Sequence, residues 1–171
     1  MQRRLASVLL VLLVIGLVGC DHATKHIAQT ELRGHAPVTL LGNVLDLRYT
    51  ENRDVGFGLL RAVPAPVRRP LILVSGSIGL GVLGVLWWRR RRSSLLLHAA
   101  FATFAGGALG NLSDRLARGY VIDFVHLHHW PVFNVADVCL VVGAGLLWLA
   151  SRGHEAPAAA PLESSGSRPA P

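Results

Sequence analysis

The sequence predicts a mainly α, polytopic membrane protein: four transmembrane helices with a small extracytoplasmic β-patch between helices one and two. Two observations carry that prediction. Of the 171 residues, 51% are hydrophobic and only 16% charged, a balance too apolar for an ordinary soluble domain and a length too short for several domains. The apolar residues are also bunched into runs, Leu5 to Cys20, Pro70 to Trp88, Leu95 to Leu112 and Pro131 to Ala150. About 20 apolar residues, with a range of roughly 17–25, cross the hydrocarbon core of a bilayer.

The first run follows Arg3 and Arg4 and ends in Leu17-Val18-Gly19-Cys20. Alone, that is the pattern of a lipoprotein signal peptide cut before Cys20. Three further membrane-length runs follow it, so it reads as a retained first helix. Asp21 and Lys25 stand four apart at its outer end, where they share a helix face and pair; a solvated interfacial ion pair is the plain alternative. Residues 26 to 69 form an outer loop. Within it, Val38 to Thr50 is rich in β-branched and apolar residues around a Gly42-Asn43 turn, which predicts a hairpin or β-patch. Gly56 and Gly58 then mark a turn or a close backbone approach, and Pro64, Pro66 and Pro70 break up the entry to helix two.

Helix two, Pro70 to Trp88, carries Gly76, Gly79, Gly81 and Gly84, which predict close helix packing and a structural role. Helix three ends in the small residues Ala105 to Gly110, where another backbone can come near. Asn111 and the neighbouring Asp114 and Arg115 follow, pointing into the region of the acids described below. Residues 1 to 150 are expected to form the membrane domain. Residues 151 to 171, rich in Ala, Pro and Ser, are expected to be a disordered cytoplasmic tail tolerant of truncation.

The net charge of +7 does not indicate nucleic acid, because the basic residues are scattered through loops without a stacking motif. Arg89 to Arg92 directly follow Trp87 and Trp88, which reads as a cytoplasmic stop beside an interfacial aromatic pair. With Arg3, Arg4 and Arg152 this places both termini and the central loop in the cytoplasm; Arg68 and Arg69 point the other way and are outweighed. Cys20 and Cys139 form no disulfide framework. No inverted repeat or pair of broken helices suggests a transporter.

Chemistry concentrates between Gly119 and Asp137. Asp137 lies inside the last apolar run, where an ionisable group costs about 2.5–3.5 kcal/mol on insertion scales and persists mostly when it faces a bundle interior. Asp123, on the water side, is near enough in sequence to fold back over it. Two carboxylates meeting at a membrane surface suggest aspartyl hydrolysis, one ionised while the other holds a proton. On spacing alone a second reading stands equally: Asp123 as an interfacial loop residue and Asp137 as a structural buried acid bonded to Asn134 or Asn111. His126, His128 and His129 are read as solvated, since no cysteine or carboxylate completes a familiar metal-ligand spacing. Ser75 and Ser77 lack an ionisable partner and Ser113 lacks an evident base, so a serine nucleophile is disfavoured.

Taken together, the motifs resemble the lipoprotein signal peptidase, or type II signal peptidase, family of bacteria. The residues that carry the resemblance are Asp21, Thr24 and Lys25; Asn52 and Phe57; Gly106 to Asn111 with Asp114 and Arg115; Gly119, Val121, Asp123 and Phe124; and Phe133, Asn134, Ala136 and Asp137. The resemblance covers essentially residues 1 to 150. The resemblance implies a monomeric aspartyl endopeptidase of the bacterial inner membrane that cleaves prolipoproteins on the N-terminal side of a diacylglyceryl-modified cysteine, with no metal or cofactor. It implies Asp123 and Asp137 as the catalytic pair, with Asn52, Asn111, Arg115 and Asn134 holding the substrate backbone or orienting the pair. Asp21 and Lys25 would support the first helix and outer domain. Prolipoprotein and membrane lipid are the implied partners, and nucleic acid is not one. The loop from Asn52 to Phe57 departs from the family's usual Asn-x-Gly-Ala-Ala-Phe, with Asp54 at the first small position and the glycine at Gly56, which bears on substrate range. The rival class is a catalytically silent relative that only captures lipopeptides or lipoproteins.

Overall fold

In the computed structural model, which describes residues 2–42, 44–55, 60 and 62–152, the chain runs α1 (Gln2–Glu31), β1 (Val38–Leu41), β2 (Leu45–Asn52), α2 (Ala65–Arg89), α3 (Leu95–Ala117), β3 (Val121–Leu127) and α4 (Val135–Arg152). The expectations placed on Asn43, on Gly56 to Gly58 and on the tail beyond Arg152 lie outside the described residues. All four helices are long and apolar enough to cross a membrane. Their outward faces are correspondingly greasy: Leu9, Leu12 and Ile15 of α1, Val74, Ile78 and Val82 of α2, and Val141 and Trp148 of α4 are all exposed, as lipid-facing residues are.

The first helix is longer than its apolar run. It continues through Cys20 and on to Glu31, so the outer loop begins after residue 31 rather than at residue 26. The continuation stays helical because its polar residues are met by partners. Asp21 and Lys25 are fully buried, and Ala28 and Leu32 pack on Ile122 of the sheet. The solvated ion pair foreseen as the alternative at Asp21 and Lys25 is therefore not what the fold contains. Helix α2 likewise starts earlier than Pro70, at Ala65, with Pro66 in its first turn, where a missing N–H costs nothing because that donor has no helical partner. Helix α3 starts at Ser94, whose side chain accepts the Leu97 N–H at 3.3 Å, an ordinary N-cap.

The β-patch is three-stranded and antiparallel, in the order β1-β2-β3. Its third strand comes from far along the chain: Val121 to Leu127 pairs with β2 so that Asp123 lies opposite Thr50 and Asn52 opposite Val121. One face of this sheet closes on α1 through Ile122, Leu47, Tyr49 and Phe124. At the other end of the bundle Leu97, Phe101 and Ala150 pack with Leu83, Trp87 and Leu147.

Helix α3 is the hub, packed against α1, α2 and α4. The close approach expected at its small residues is present and severe. A Cβ on Gly107 would collide with the Ala136 carbonyl oxygen and stand 3.0 Å from the Leu140 nitrogen, and one on Gly110 would stand 2.6 Å from Asp21 Oδ2. On α4, a Cβ at Gly143 would lie 2.6 Å from the Phe104 backbone nitrogen. Helix α2 differs from expectation here. A Cβ on Gly76 would meet Leu112 at 3.3 Å, but Gly79, Gly81 and Gly84 face open space. Runs of glycine register as packing motifs in a sequence whether or not a helix lies opposite them.

Candidate active site

The site is assembled at the end of the bundle that carries the sheet. Its local frame is the start of α4. Asn134 caps that helix: its Oδ1 accepts the Asp137 N–H at 3.0 Å, while Asp137 Oδ2 accepts the Asn134 N–H at 3.2 Å. This reciprocal pair is a capping box, with an aspartate three residues after the cap. Asp21 Oδ1 reaches over from α1 to accept the Ala136 N–H at 2.9 Å, so the first turn's free donors are met by carboxylates, which the positive end of the helix favours. Asp137 thus sits in the first turn of α4, not several residues inside a span.

The Asn134 side-chain amide has a second use. Its Nδ2 donates to Asp123 Oδ1 at 2.6 Å and to Asn111 Oδ1 at 3.1 Å. Asn111 donates in turn to Asp137 Oδ1 at 2.8 Å. Asn52, at the end of β2, donates to the other oxygen of Asp123 at 2.8 Å. Asp123 and Asp137 are therefore held through shared asparagines: Asn134 touches both, Asn111 binds Asp137, and Asn52 binds Asp123. Asp123 is 2% exposed and Asn134 is completely buried. Burial pushes the Asp123 carboxyl up to about 6 from its ordinary 3.8; the Asn52 amide opposes this, and the nearby Asp137 charge adds to it.

Behind this layer lies a buried charge cluster. Lys25 Nζ stands 2.7 Å from Asp21 Oδ2 and 2.8 Å from Asp114 Oδ2, and donates to Asn111 Oδ1 at 3.1 Å. Asp114 also faces Arg118 at 3.1 Å. The Asp114 oxygens lack well-aligned hydrogen bonds, so charge proximity rather than bond geometry holds that residue. Arg115 does not join its neighbour Asp114. It turns to the other side of α3 and donates to the backbone oxygens of Asp54 at 2.9 Å and Asn111 at 3.2 Å. Asp54, the departure in the loop, has its charge met by Arg68 at 2.9 Å.

A cleft of about 470 Å³ opens beside these groups, between α2, α3 and α4. Its walls are mainly apolar, among them Ile72, Leu112, Val132, Phe133 and Leu140, and its polar groups include Asn52, Asn111, Arg115 and Asp137. Asp123 lies behind Asn52 rather than on the cleft wall. The eight site residues expected from the sequence are in this assembly: Asn52, Asn111, Arg115 and Asp137 on the cleft, Asp123 and Asn134 just behind it, and Asp21 and Lys25 beneath. Asp114 was expected only as a neighbour of Asn111 and Arg115 pointing toward the acids, and Arg118 was not singled out; their spacing of four on a helix face was the available signal.

Two dismissals made from sequence need amendment. Ser113 does have a histidine, His22 of α1, with Nε2 3.0 Å from its Oγ, and His22 Nδ1 is 3.9 Å from Asp114. The polarity is wrong for a nucleophile. The Ser113 hydroxyl gives its proton to the Gly110 carbonyl at 2.8 Å, so toward His22 its oxygen is left to accept. The three histidines after Phe124 also have a carboxylate nearby, because strand pairing brings Asp46 opposite His126.

Four membrane-length helices, a small outer sheet, and two carboxylates bridged by asparagines at the mouth of an apolar cleft define a polytopic membrane protein with a hydrolase-like polar site. The chain belongs to the signal peptidase II family: that family's model, described as signal peptidase (SPase) II, matches residues 13–152. The chain is 37% identical over 153 residues to the lipoprotein signal peptidase of Pelodictyon phaeoclathratiforme, covering 82% of this chain and 86% of that one. To the lipoprotein signal peptidase of Syntrophotalea carbinolica it is 35% identical over 152 residues, covering 86% and 93%. Among solved structures, the fold matches a bacterial membrane enzyme determined by the in meso method at 2.3 Å with a TM-score of 0.74 at 22% identity, over 93% of this chain and 94% of that one. A second such enzyme, at 1.9 Å, matches with a TM-score of 0.71 at 25% identity, over 83% and 91%.

Proposed function

We propose that this protein is an aspartic endopeptidase of the bacterial inner membrane that removes signal peptides from prolipoproteins, cutting on the N-terminal side of the diacylglyceryl-modified cysteine. The observation that carries the reading is Asn134: one side chain caps the helix of Asp137 and donates to Asp123 at 2.6 Å, as a device for holding two acids in fixed relation would. In this reading the pair keeps one proton between its members and titrates as a unit. The ionised acid takes a proton from water, which attacks the scissile carbonyl. The protonated acid donates to the carbonyl oxygen; the acid that took the water's proton then passes it to the departing amine, and collapse of the tetrahedral diol returns a proton to the first acid. No metal or cofactor takes part.

The cleft supplies what such a substrate needs. Its apolar walls suit acyl chains and the signal helix, and Asn52, Asn111 and Arg115 are the polar groups that would hold an extended backbone near the acids. Because Asn52 lies between Asp123 and the cleft, substrate binding would exchange the Asn52–Asp123 bond for contacts to the substrate. The cleft opens at the sheet end of the bundle, which in this reading is the extracytoplasmic end, with both termini in the cytoplasm and the protein acting as a monomer. The capture-protein alternative rests on the loop departure at Asp54, whose charge is paired with Arg68.

The deciding experiment is processing of a diacylglyceryl-modified prolipoprotein in detergent. Wild type should cleave before the lipid-bearing cysteine, while Asp123→Asn and Asp137→Asn should bind substrate and leave it intact. Appreciable turnover by either folded variant would remove the paired-acid mechanism. Failure of the wild type to cleave a bound substrate would favour capture without catalysis.

A further inference from the structure

The sheet carries a second cluster of chemistry-bearing side chains that the peptidase reading does not use. Asp46 of β2 lies directly opposite His126 of β3, and His128 follows two residues later. His128 lies in the turn just past the end of β3, and the His126 and His128 ring centroids are 5.7 Å apart. One ligand atom from each of Asp46, His126 and His128 can be chosen so that all three lie within 4.8 Å of one another.

The short contact in this group has the dimensions of a coordination edge. His126 Nδ1 and Asp46 Oδ2 are 3.4 Å apart, long for a hydrogen bond, which runs at about 2.7–3.2 Å. Ligands held about 2.0–2.2 Å from a tetrahedral zinc ion stand about 3.4 Å from each other. His126 and Asp46 are half-buried, whereas His128 is exposed, so two donors are set by the strand pairing and the third stands at the rim with room for water beside it. Two imidazoles and one carboxylate form a donor set that suits a borderline divalent transition ion and not magnesium or calcium, which take oxygen ligands.

We infer that Asp46, His126 and His128 bind a divalent transition-metal ion of the zinc class at the outer sheet, with water completing the shell. The ion clamps β2 to β3. It does not take part in peptide cleavage: His126 shares its strand face with Ile122, which packs on α1, whereas Asp123 projects to the opposite face and lies roughly 10 Å along the strand. The site therefore stands or falls independently of the peptidase reading.

Zn²⁺ alone is the probe, titrated into the full chain in detergent after removal of any affinity tag, with bound metal counted by equilibrium dialysis. The wild type should take up one Zn²⁺ per chain, and the ion should raise Tm because it binds the folded pairing and not the unfolded chain. His126→Ala and Asp46→Asn should weaken binding by more than the roughly 10–100-fold typical of losing an outer-sphere partner. His128→Ala, at an exposed position, should lose the Zn²⁺-dependent rise in Tm while keeping the metal-free Tm of the wild type. Wild-type affinity no tighter than that of these variants, or a Tm shift that survives them, would overturn the site.

Discussion

At Asp123 two tendencies oppose each other. Amide donors from Asn52 and Asn134 stabilise the ionised carboxylate, but burial resists it, and burial wins, leaving the group near 6. A value raised above the ordinary one means that the neutral form survives to higher pH. The nearby Asp137 charge adds to that rise. Below about 6 Asp123 holds a proton for the carbonyl oxygen; above it Asp123 is ionised and that donor is lost. kcat/KM should therefore fall as pH rises through about 6, and the corresponding limb in kcat should sit higher, because bound substrate excludes water from the pair. A pH series on the prolipoprotein cleavage rate checks both; a kcat/KM profile flat from pH 5 to 8 would contradict the assignment. Lys25 is the residue on which the layer beneath depends. It is the buried cation between Asp21 and Asp114, and Lys25→Met would leave two acids with too little compensation. Breaking such a buried arrangement from one side costs about 3–5 kcal/mol, so this variant should unfold at markedly lower temperature in detergent, whereas Arg53→Ala, on an exposed surface pair, should not.

Among the elements, the α3–α4 contact is the least forgiving. Gly107 and Gly143 lie where the two backbones nearly touch, and the 2.6 Å from a Gly143 Cβ to the Phe104 nitrogen leaves a methyl group nowhere to go except by parting the helices. Overpacking of this kind costs about 1–3 kcal/mol or more. Gly143→Ala should lower the thermal midpoint in detergent and reduce cleavage, since the same helix carries Asp137, while Gly145→Ala, facing open space, should be silent in both assays. The contrast also marks what was legible in the sequence. Hydropathy locates all four helices, because a bilayer-length run needs no partner to declare itself. It cannot say that α1 runs on to Glu31, since Asp21 and Lys25 look like interface residues until the helices that bury them are in place. Strand β3 was hidden for a related reason. Its pairing with β2 closes about 70 residues of intervening chain, and a seven-residue strand carries little signal alone. The acids and asparagines were legible as a family pattern, but the reciprocal bonds of Asn134 and Asp137 were legible as physics too: Asn-x-x-Asp before an apolar run is a helix start. Phe57 and Gly56 fall outside the described residues; of that loop, Asn52, Asp54 and Val55 line the cleft.

At the scale of the whole molecule, charge is distributed by end. The sheet end carries Asp21, Asp114, Asp123 and Asp137 with their partners, while Arg89 ends α2, Arg90 to Arg92 lie in the turn to α3 at the far end, and Arg152 closes α4 there. Such an excess of arginine in short loops favours the cytoplasmic side. It is opposed at the sheet end by Arg33, Arg48, Arg53, Arg68, Arg69, Arg115 and Arg118, of which Arg33, Arg53, Arg68 and Arg118 are each paired with an acid. Pairing lowers their weight as free positive charge, so the four-arginine cluster should decide the orientation. The prediction is tested with the two native thiols replaced by serine at Cys20 and Cys139, and single cysteines introduced at Thr39 on the outer strand β1 and at Arg91. A membrane-impermeant thiol reagent applied to the outside of the inner membrane should label Thr39→Cys in intact spheroplasts and Arg91→Cys only after lysis. The reverse pattern would put the acids on the cytoplasmic face. Cleavage there would have to precede export of the substrate, so the peptidase proposal would fail with the topology.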